Sequence, residues 1–230
     1  MSVFERTEGL IGKDCANRLK SAFVAVFGVG GVGGFVVESL VRSGIGNIAL
    51  IDSDRVESSN LNRQIVATTS TVGKLKTEIA CERAKEINPD INVKRYDLFY
   101  LPENADEIDF SAFDYVVDAV DTVSAKVEII RRAIKTGVPV ISCMGTAGKL
   151  EPTALRVAPL SQTKVCPLAK AVRRQLSDVD LSNVKAVYSE EKITAQAITE
   201  NGKHTPPSMI FVPATAGIIL ANEVIKDLIK

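Results

Sequence analysis

The stretch Val24-Ala-Val-Phe-Gly-Val-Gly-Gly-Val-Gly33 joins an apolar run to a glycine-rich turn, and a helical pattern begins directly after it. Gly28, Gly30 and Gly33 have the G-x-G-x-x-G spacing, in which one glycine permits the tight turn, one lets the backbone approach a phosphate and one lets helix pack on strand. The phosphate would meet free N–H groups at the start of the helix, where the helix dipole also favours negative charge. The stretch, with Gly31 in its loop, predicts a nucleotide-binding strand–turn–helix unit.

An acidic residue ends the next predicted strand, Asn47-Ile-Ala-Leu-Ile-Asp52. Asp52 follows Gly28 at roughly the 20-residue distance at which such folds hydrogen-bond a ribose. Dehydrogenases share both the glycine spacing and this acid, so these two signals leave the identity of the nucleotide open.

The composition sets bounds on the class of protein. The chain has 230 residues, 46% of them hydrophobic, which is enough to bury a full core. We expect a single domain over 1–230, with a nucleotide-binding core at 1–150 and a C-terminal elaboration at 151–230. The sequence contains 28 basic residues (Lys and Arg) and 28 acidic residues (Asp and Glu). Because these charges balance, no overall electrostatic field attracts nucleic acid or membrane, and any site for a polyanion must be a local patch of positive charge.

Targeting signals and metal-binding cysteine pairs are missing from the sequence. The N-terminus lacks the basic segment and apolar core of a secretory signal, and no apolar run reaches the roughly 18 residues of a membrane span. We therefore expect a cytoplasmic protein that does not bind membranes. No C-x-x-C pair occurs among Cys15, Cys81, Cys143 and Cys166, so we expect no structural zinc.

Predicted strands alternate with predicted helices through the first 150 residues. The strands are expected at 22–28, 47–52, 91–97, 113–118 and 139–143, and the helices at 8–20, 31–44, 73–87 and 123–136. This alternation is typical of an α/β, Rossmann-like fold with a mostly parallel sheet flanked by helices. Later residues predict a strand at 153–158, a basic helix at 166–176, a polar stretch at 177–208 and an apolar helix at 213–229.

Further polar segments follow the glycine turn, namely Asp52-Ser-Asp54, Asn60-Leu-Asn-Arg-Gln64, Gly73-Lys-Leu-Lys76 and Asp118-Ala-Val-Asp121. In an open α/β sheet the ligand lies beyond the carboxyl ends of the strands, so these segments can converge on one crevice. Arg63 and Lys76 would supply positive charge to a triphosphate, and Asp121 would hold Mg²⁺, which prefers oxygen ligands. Asp118, at the strand end, is interpreted as a structural acid. The set indicates phosphoryl or nucleotidyl transfer rather than hydride transfer.

At these segments the sequence resembles the superfamily of ubiquitin-activating enzymes and their bacterial relatives, which adenylate carboxylates with ATP and Mg²⁺. The resemblance covers roughly residues 4–160 and includes the glycine turn. The ATP-binding residues that it implies are Gly28, Gly30, Gly31, Gly33, Asp52, Asp54, Asn60, Arg63, Gln64, Lys76, Asp121 and Arg6.

Individual roles also follow from the resemblance. It implies that Asp52 binds the ribose and that Arg63 and Lys76 contact phosphates as catalytic residues. Asp121, the third catalytic residue, would hold the magnesium. Arg6 matches an N-terminal arginine that reaches the nucleotide of a partner subunit, which implies a homodimer. The resemblance thus implies a single adenylation domain over 1–230, whose C-terminal elaboration at 151–230 serves substrate binding and dimerisation.

The C-terminal half carries a closer resemblance, to tRNA threonylcarbamoyladenosine dehydratases. The segments that carry it are Glu151-Pro-Thr153, Thr163-Lys-Val-Cys-Pro-Leu-Ala169, Val187-Tyr-Ser189, and Phe211-Val-Pro213 through Gly217 to Glu223. Superfamily members that activate sulfur-carrier proteins usually bind zinc through two C-x-x-C pairs, which this sequence lacks. The resemblance implies that ATP adenylates the threonyl carboxylate of a modified adenosine in tRNA, after which a nitrogen of the carbamoyl group closes a ring.

Two other functions stay open. Activation of the C-terminal glycine of a small sulfur-carrier protein would keep the adenylation and change the carboxylate. A non-catalytic module that senses ATP or NAD would need only the glycine turn, and the set of Arg63, Lys76 and Asp121 argues against it. A sulfur-relay protein is a further candidate partner that the sequence does not identify.

The basic helix offers a local site for a polyanion. Lys170, Arg173 and Arg174 can share one of its faces and are the candidate tRNA-binding residues. No aromatic residues interleave with them, so phosphate contacts and shape would position the tRNA. Cys166 precedes Pro167 at the start of this helix and is interpreted either as a nucleophile or as a small buried apolar residue. The cyclisation needs no protein nucleophile, because its own nucleophile is tethered.

Overall fold

The computed structural model describes residues 3–192, 198–200 and 203–230. Its strands are β1 Phe23–Phe27, β2 Asn47–Ile51, β3 Asn92–Tyr96, β4 Tyr115–Asp118, β5 Val140–Cys143, β6 Leu155–Pro159, β7 Lys185–Ser189, β8 Ile198–Glu200 and β9 Lys203–Thr205. Within the described ranges, seven of them form one sheet in the order β3-β2-β1-β4-β5-β7-β6. Only β6, next to β7, runs antiparallel in that sheet as described, and β8 pairs with β9 separately.

Helices cover both faces of this sheet. They are α1 Glu5–Ile11, α2 Lys13–Ser21, α3 Gly33–Ser43, α4 Lys76–Ile87, α5 Val123–Thr136, α6 Pro167–Gln175 and α7 Phe211–Leu228. The predicted α/β architecture, with a mostly parallel sheet between helices, is confirmed. In the part of the chain that the structure describes, no helix combines the length and the apolar character that crossing a membrane requires.

Strand β1 supplies side chains to two core layers, because successive residues of a strand point to opposite faces. Val24 and Val26 pack in the layer that includes α3 and α7, whereas Ala25 and Phe27 pack in the layer that includes α5 and α6. All four side chains are fully buried. Burial on both faces is the reason that this stretch is apolar throughout and does not alternate.

The order of the strands reverses at β1, which has β2 on one side and β4 on the other. Loops that leave neighbouring strands diverge at such a point and open a crevice beyond the carboxyl ends. The glycine turn leaves β1 at this edge, and the segment Asp118-Ala-Val-Asp121 leaves β4 there. The fold therefore brings together segments that are about 90 residues apart in sequence.

Two regions differ from the sequence-based expectation. The helix expected at 8–20 is divided into α1 and α2 at Gly12, whose φ of 84° favours glycine. The polar stretch expected at 177–208 contains β7, a buried strand that pairs with β5 and β6. The apolar part of β7 is only Ala186-Val-Tyr188 within an otherwise polar stretch, so the pattern of the surrounding residues indicates a loop.

Candidate active site

The three spaced glycines have different surroundings. A Cβ atom on Gly33 would lie 1.8 Å from the carbonyl oxygen of Gly28, and one on Gly28 would lie 2.9 Å from that of Ala119. Gly28 also has a φ of 86°, a conformation that residues with a Cβ rarely adopt. A Cβ on Gly30 would come no closer than 3.9 Å to its neighbour, the Gln64 side chain. Gly28 and Gly33 thus permit the close packing of the loop, while Gly30 borders open space.

An open cleft of about 590 Å³ lies beside this loop, at the carboxyl ends of the central strands. Such a volume is ordinary for a small-molecule site. The cleft brings together most of the predicted ATP-binding residues, which are Gly28, Gly30, Gly31, Asp52, Asp54, Asn60, Arg63, Gln64, Lys76 and Asp121. Of that predicted set, and within the described residues, Gly33 and Arg6 do not line it.

Asp52 is held in place by the backbone. Its two carboxylate oxygens accept hydrogen bonds from the N–H of Val29 at 2.7 Å and from the N–H of Asp54 at 2.8 Å. Burial raises the pKa of Asp52, an effect that these donors and the nearby Lys76 oppose. The carboxylate is therefore fixed in orientation at the cleft, as an acceptor for ribose hydroxyls must be.

Lys76 begins α4 and projects its charge toward the cleft. Its side chain is 7% exposed, and Nζ lies 2.7 Å from Oδ2 of Asp54, whose side chain is 60% exposed. The backbone N–H of Lys76 also donates to the carbonyl oxygen of Asp54 at 2.9 Å. These two contacts fix the position of the ammonium group at the wall of the cleft.

Arg63 lies next to the glycine loop, where its Cγ is 3.6 Å from the position of a Cβ on Gly31. Its Nη1 donates to the carbonyl oxygen of Ser59 at 2.8 Å and to Oδ1 of Asn62 at 3.0 Å. Gln64, from the same segment, is buried, and its Oε1 accepts no hydrogen bond from any described residue. The segment therefore offers the cleft both a positioned cation and an unused acceptor.

The two aspartates of the loop after β4 have opposite environments. Asp118 is fully buried beside Lys126 and Ser142, which confirms its interpretation as a structural acid. Asp121 is exposed and accepts only a long hydrogen bond of 3.5 Å, from Thr122, among the described side chains. No group of three His, Cys, Asp or Glu side chains that could hold a metal occurs in the described ranges. A single free carboxylate suits Mg²⁺, which binds through one or two carboxylates, substrate phosphates and water.

The cleft is also lined by residues outside the predicted ATP-binding set. They include Leu98, Phe99, Tyr100, Cys143, Met144, Gly145, Thr146, Ala147, Leu168, Pro206, Ser208 and Pro213. The residues that follow β3 and β5 could have been found by applying the carboxyl-end rule to those strands as well. Burial raises the pKa of the Cys143 thiol to about 12, so this cysteine is not a ready nucleophile.

The three basic residues predicted to bind tRNA are not equivalent. Lys170 and Arg174 are exposed on α6. Arg173 is half-buried, and its Nη1 donates to the backbone carbonyl oxygen of Thr163 at 3.0 Å and to the Thr163 hydroxyl. Cys166 is only 5% exposed, as expected for a small buried apolar residue.

Arg6 lies on α1, far from the cleft of its own chain. The preceding Phe4 has its ring 3.5 Å from the position of a Cβ on Gly44, the residue that ends α3. The glycine loop is at the other end of α3, whose 11 residues make it about 16 Å long. In keeping with this position, Arg6 does not line the described cleft of the chain that carries it.

Comparison with known proteins extends over nearly the whole chain. The model of the ThiF family matches residues 4–230. The tRNA threonylcarbamoyladenosine dehydratase of Bacillus subtilis is 38% identical over 240 residues, which cover 99% of this chain and 94% of that protein. The enzyme of the same name from Haemophilus influenzae is 37% identical and covers 99% of this chain and 95% of its own. The crystal structure of Escherichia coli tRNA N6-threonylcarbamoyladenosine dehydratase, TcdA, in complex with ATP has a TM-score of 0.86 and 33% identity, with 98% of this chain and 93% of that chain covered.

Proposed function

This chain belongs to the ThiF family, and from that premise we propose that it is an ATP-dependent tRNA threonylcarbamoyladenosine dehydratase. The observation that carries the proposal is the convergence of Arg63, Lys76 and Asp121 on one cleft beside the glycine loop. All three act through charge, which is what nucleotidyl transfer requires of a protein. The likeness to dehydratases extends through the C-terminal half of the chain, which contributes Leu168, Pro206, Ser208 and Pro213 to the lining of the cleft.

The first step joins the substrate to AMP. A threonyl carboxylate oxygen attacks the α-phosphorus of ATP, the bond from that phosphorus to the bridging oxygen breaks, and pyrophosphate leaves. Negative charge grows on the phosphate oxygens, where Arg63 and Lys76 stabilise it, while Asp52 holds the ribose. Asp121 would hold Mg²⁺, and the ion, when bound, neutralises phosphate charge.

The second step closes the ring. The carbamoyl nitrogen attacks the activated carbonyl carbon, a C–N bond forms, the C–O bond to AMP breaks, and the nitrogen releases a proton to solvent. The nucleoside loses one water overall, and ATP becomes AMP and pyrophosphate. A tethered nucleophile reacts with an effective molarity on the order of 10⁵–10⁸ M, so the protein need not supply one. The burial of Cys166 and Cys143 agrees with such a route.

We propose that tRNA contacts the exposed side of α6 through Lys170 and Arg174. Each phosphate that a cation neutralises contributes about 0.7–0.9 to the slope of log affinity against log salt. Lys170→Ala/Arg174→Ala should therefore weaken tRNA binding and flatten that slope by roughly 1.5. Lys85→Ala/Lys135→Ala, which removes two exposed cations on other helices, is the matched control. A double variant of α6 with the wild-type slope would remove this helix from the tRNA site.

We also propose that the enzyme is a homodimer. Arg6 does not line the described cleft of its own chain, and we expect it to contact the nucleotide that a second copy of the chain binds. Met209, Ile210, Phe211 and Ile218 expose large apolar side chains at the start of α7, and surface of this kind often marks an interface. Light scattering should give the mass of two chains for the wild type and of one chain for Phe211→Asp/Ile218→Asp. A wild-type mass of one chain would contradict the proposal.

One incubation tests the reaction. The protein is mixed with ATP, Mg²⁺ and tRNA that carries threonylcarbamoyladenosine, and we expect AMP together with a nucleoside lighter by one water. The same tRNA without the modification is the control and should give no AMP. A small sulfur-carrier protein ending in glycine is tested in parallel. AMP formed with that carrier, and none with the modified tRNA, would favour the sulfur-carrier activity instead.

A further inference from the structure

The buried ion pair between Asp118 and Lys126 takes no part in the steps above. Both side chains are 0% exposed, and Lys126 Nζ lies 3.0 Å from Asp118 Oδ2. Ser142 Oγ donates to the same oxygen at 2.5 Å, and the N–H of Val120 donates to Oδ1 at 3.2 Å. Burying two charges costs solvation, and apolar residues of similar volume often replace such a pair with no loss of stability. Stability alone therefore does not explain why charges occupy this position.

The pair lies where the loop after β4 meets the glycine loop. The Ala119 N–H donates to the carbonyl oxygen of Phe27 at 2.8 Å. The Ala119 carbonyl oxygen lies 2.9 Å from the position of a Cβ on Gly28. Asp118 anchors the beginning of this turn, and Asp121 ends it at the wall of the cleft. A change in the orientation of the Asp118 side chain would therefore displace the turn that carries Asp121.

Asp118 and Asp121 thus lie three positions apart at the end of β4, and only the carboxylate of Asp121 is available to a ligand. Lys126 and Ser142 both engage Oδ2 of Asp118. Lys126 also lies 3.4 Å from the Ser142 hydroxyl, so the three side chains form a closed group. Asp121 has no such partners among the described residues.

We infer that Lys126 is a positioning residue for magnesium–nucleotide binding: it holds Asp118 inside the fold and keeps Asp121 as the one carboxylate presented to the cation. The inference rests on the proposed nucleotide site and adds to it a residue that does not touch the ligand. Its action resembles that of outer-shell partners of metal ligands, whose removal typically weakens metal binding about 10–100-fold.

Calorimetry of Lys126→Met tests this role. Mg²⁺ is titrated into the protein in the presence of saturating ATP analogue that cannot be cleaved at the α-phosphorus. We expect the magnesium affinity to fall by about 10-fold or more, while the affinity for the analogue without magnesium stays at the wild-type value. Raising the Mg²⁺ concentration should restore kcat, which a general loss of structure would not allow.

Lys185→Met is the matched control, because Lys185 also bridges acids, at 3.0 Å from Glu223 and 2.7 Å from Asp227, but at the opposite end of the sheet. It should lower the melting temperature and leave the magnesium affinity unchanged. The inference is overturned if Lys126→Met keeps the wild-type magnesium affinity, or if it loses metal-free nucleotide binding to the same extent.

Ser142→Ala gives a second test that does not depend on the folding of Lys126→Met, because it keeps both charges and removes one donor to Asp118. A smaller weakening of magnesium binding in the same direction supports the inference, and an unchanged affinity overturns it. The proposed function fails separately, if wild-type protein binds ATP with no dependence on magnesium at all.

Discussion

The two ends of the central sheet use charged residues in opposite ways. At the amino end, Lys185 bridges Glu223 and Asp227, and the Tyr115 hydroxyl donates to Asp227 at 2.9 Å. Lys230 also lies 2.7 Å from Asp227. These contacts hold the C-terminal helix α7 against the first residues of β4 and β7.

At the carboxyl end, the charges that line the cleft are held in position but only partly neutralised. Asp121 is exposed at the cleft, and Arg63 makes its described hydrogen bonds through one nitrogen of the guanidinium group. Lys76 contacts an aspartate that is itself largely exposed. The charged side chains that join α7 to the sheet are thus paired within the chain, whereas those that line the cleft are oriented and left available to a ligand.

Asp121→Ala should give the largest effect, a loss of activity without a loss of stability. Because the side chain is exposed and weakly bonded, the melting temperature should not change. AMP formation should fall by at least about 1,000-fold, which corresponds to ~4 kcal/mol in the barrier. Asp90→Ala, another exposed aspartate, is the control. A variant of Asp121 that retains near-normal turnover would show that this residue does not hold the metal.

Gly33→Ala should separate packing from binding within one loop. Its Cβ would overlap the carbonyl oxygen of Gly28, so we expect a loss of more than about 3 kcal/mol in the free energy of unfolding. Gly30→Ala meets no such obstacle and should keep the stability while it weakens ATP binding. Denaturant unfolding and calorimetry measure the two quantities. Equal effects of both substitutions on stability would refute the division of roles.

Arg63→Ala should lower turnover by about 100-fold, the scale seen when a preorganised charge is removed from a transition state. The effect should appear in kcat more than in KM, because the charge acts as the phosphate becomes more negative. Steady-state kinetics give both constants. Arg42→Ala, on the exposed side of α3, serves as the control, and a change confined to KM would reduce Arg63 to a binding residue.

The smallest effect should come from the ion pairs at the amino end of the sheet. Their contribution to the free energy of unfolding should depend on pH. Burial would raise the pKa of Asp227, but hydrogen bonds from Lys185, Lys230 and Tyr115 outweigh this effect and lower it from the ordinary 3.8. The resulting stabilisation is complete above the unfolded pKa and is lost as the pH falls through the folded value.

Asp227→Asn should therefore cost about 1 kcal/mol at neutral pH and reduce the loss of stability below pH 3.8. Thermal melting at a series of pH values gives the measurement. The raised pKa of Asp52 at the other end changes the stability with pH in the opposite direction, because protonation of this group favours the folded state. An Asp227→Asn profile parallel to that of the wild type would show that the amino-end group is not linked to pH.

The sequence predicts the parts of this molecule that are local. Strand β1, the glycine turn and α3 follow one another directly, so residue pattern and spacing were enough to identify them and to place Asp52 and Asp121 at the same edge. Strand β7 was missed because its five residues become a strand only through pairing with β5 and β6. Tertiary context overrides weak local preference in such segments.

The role of Lys126 can be predicted only in part from the sequence. It lies on the apolar stripe of α5 with Ile129, Ile130 and Ala133, all of them buried, and a lysine at such a position needs a buried partner. Its partner, Asp118, could be identified only from the fold. Arg173 also required the structure, because its contact with Thr163 joins two elements whose distance the sequence does not give.

The remoteness of Arg6 from its own cleft has a genetic consequence in the proposed dimer. A chain with Arg6→Ala would keep an intact cleft but could not supply the arginine to its partner. A chain with Asp121→Ala would supply the arginine but would have a defective cleft. Each variant expressed alone should give an inactive dimer. Expressed together, the two can pair so that one complete site is rebuilt across the two polypeptides, and the defects complement one another within a single gene.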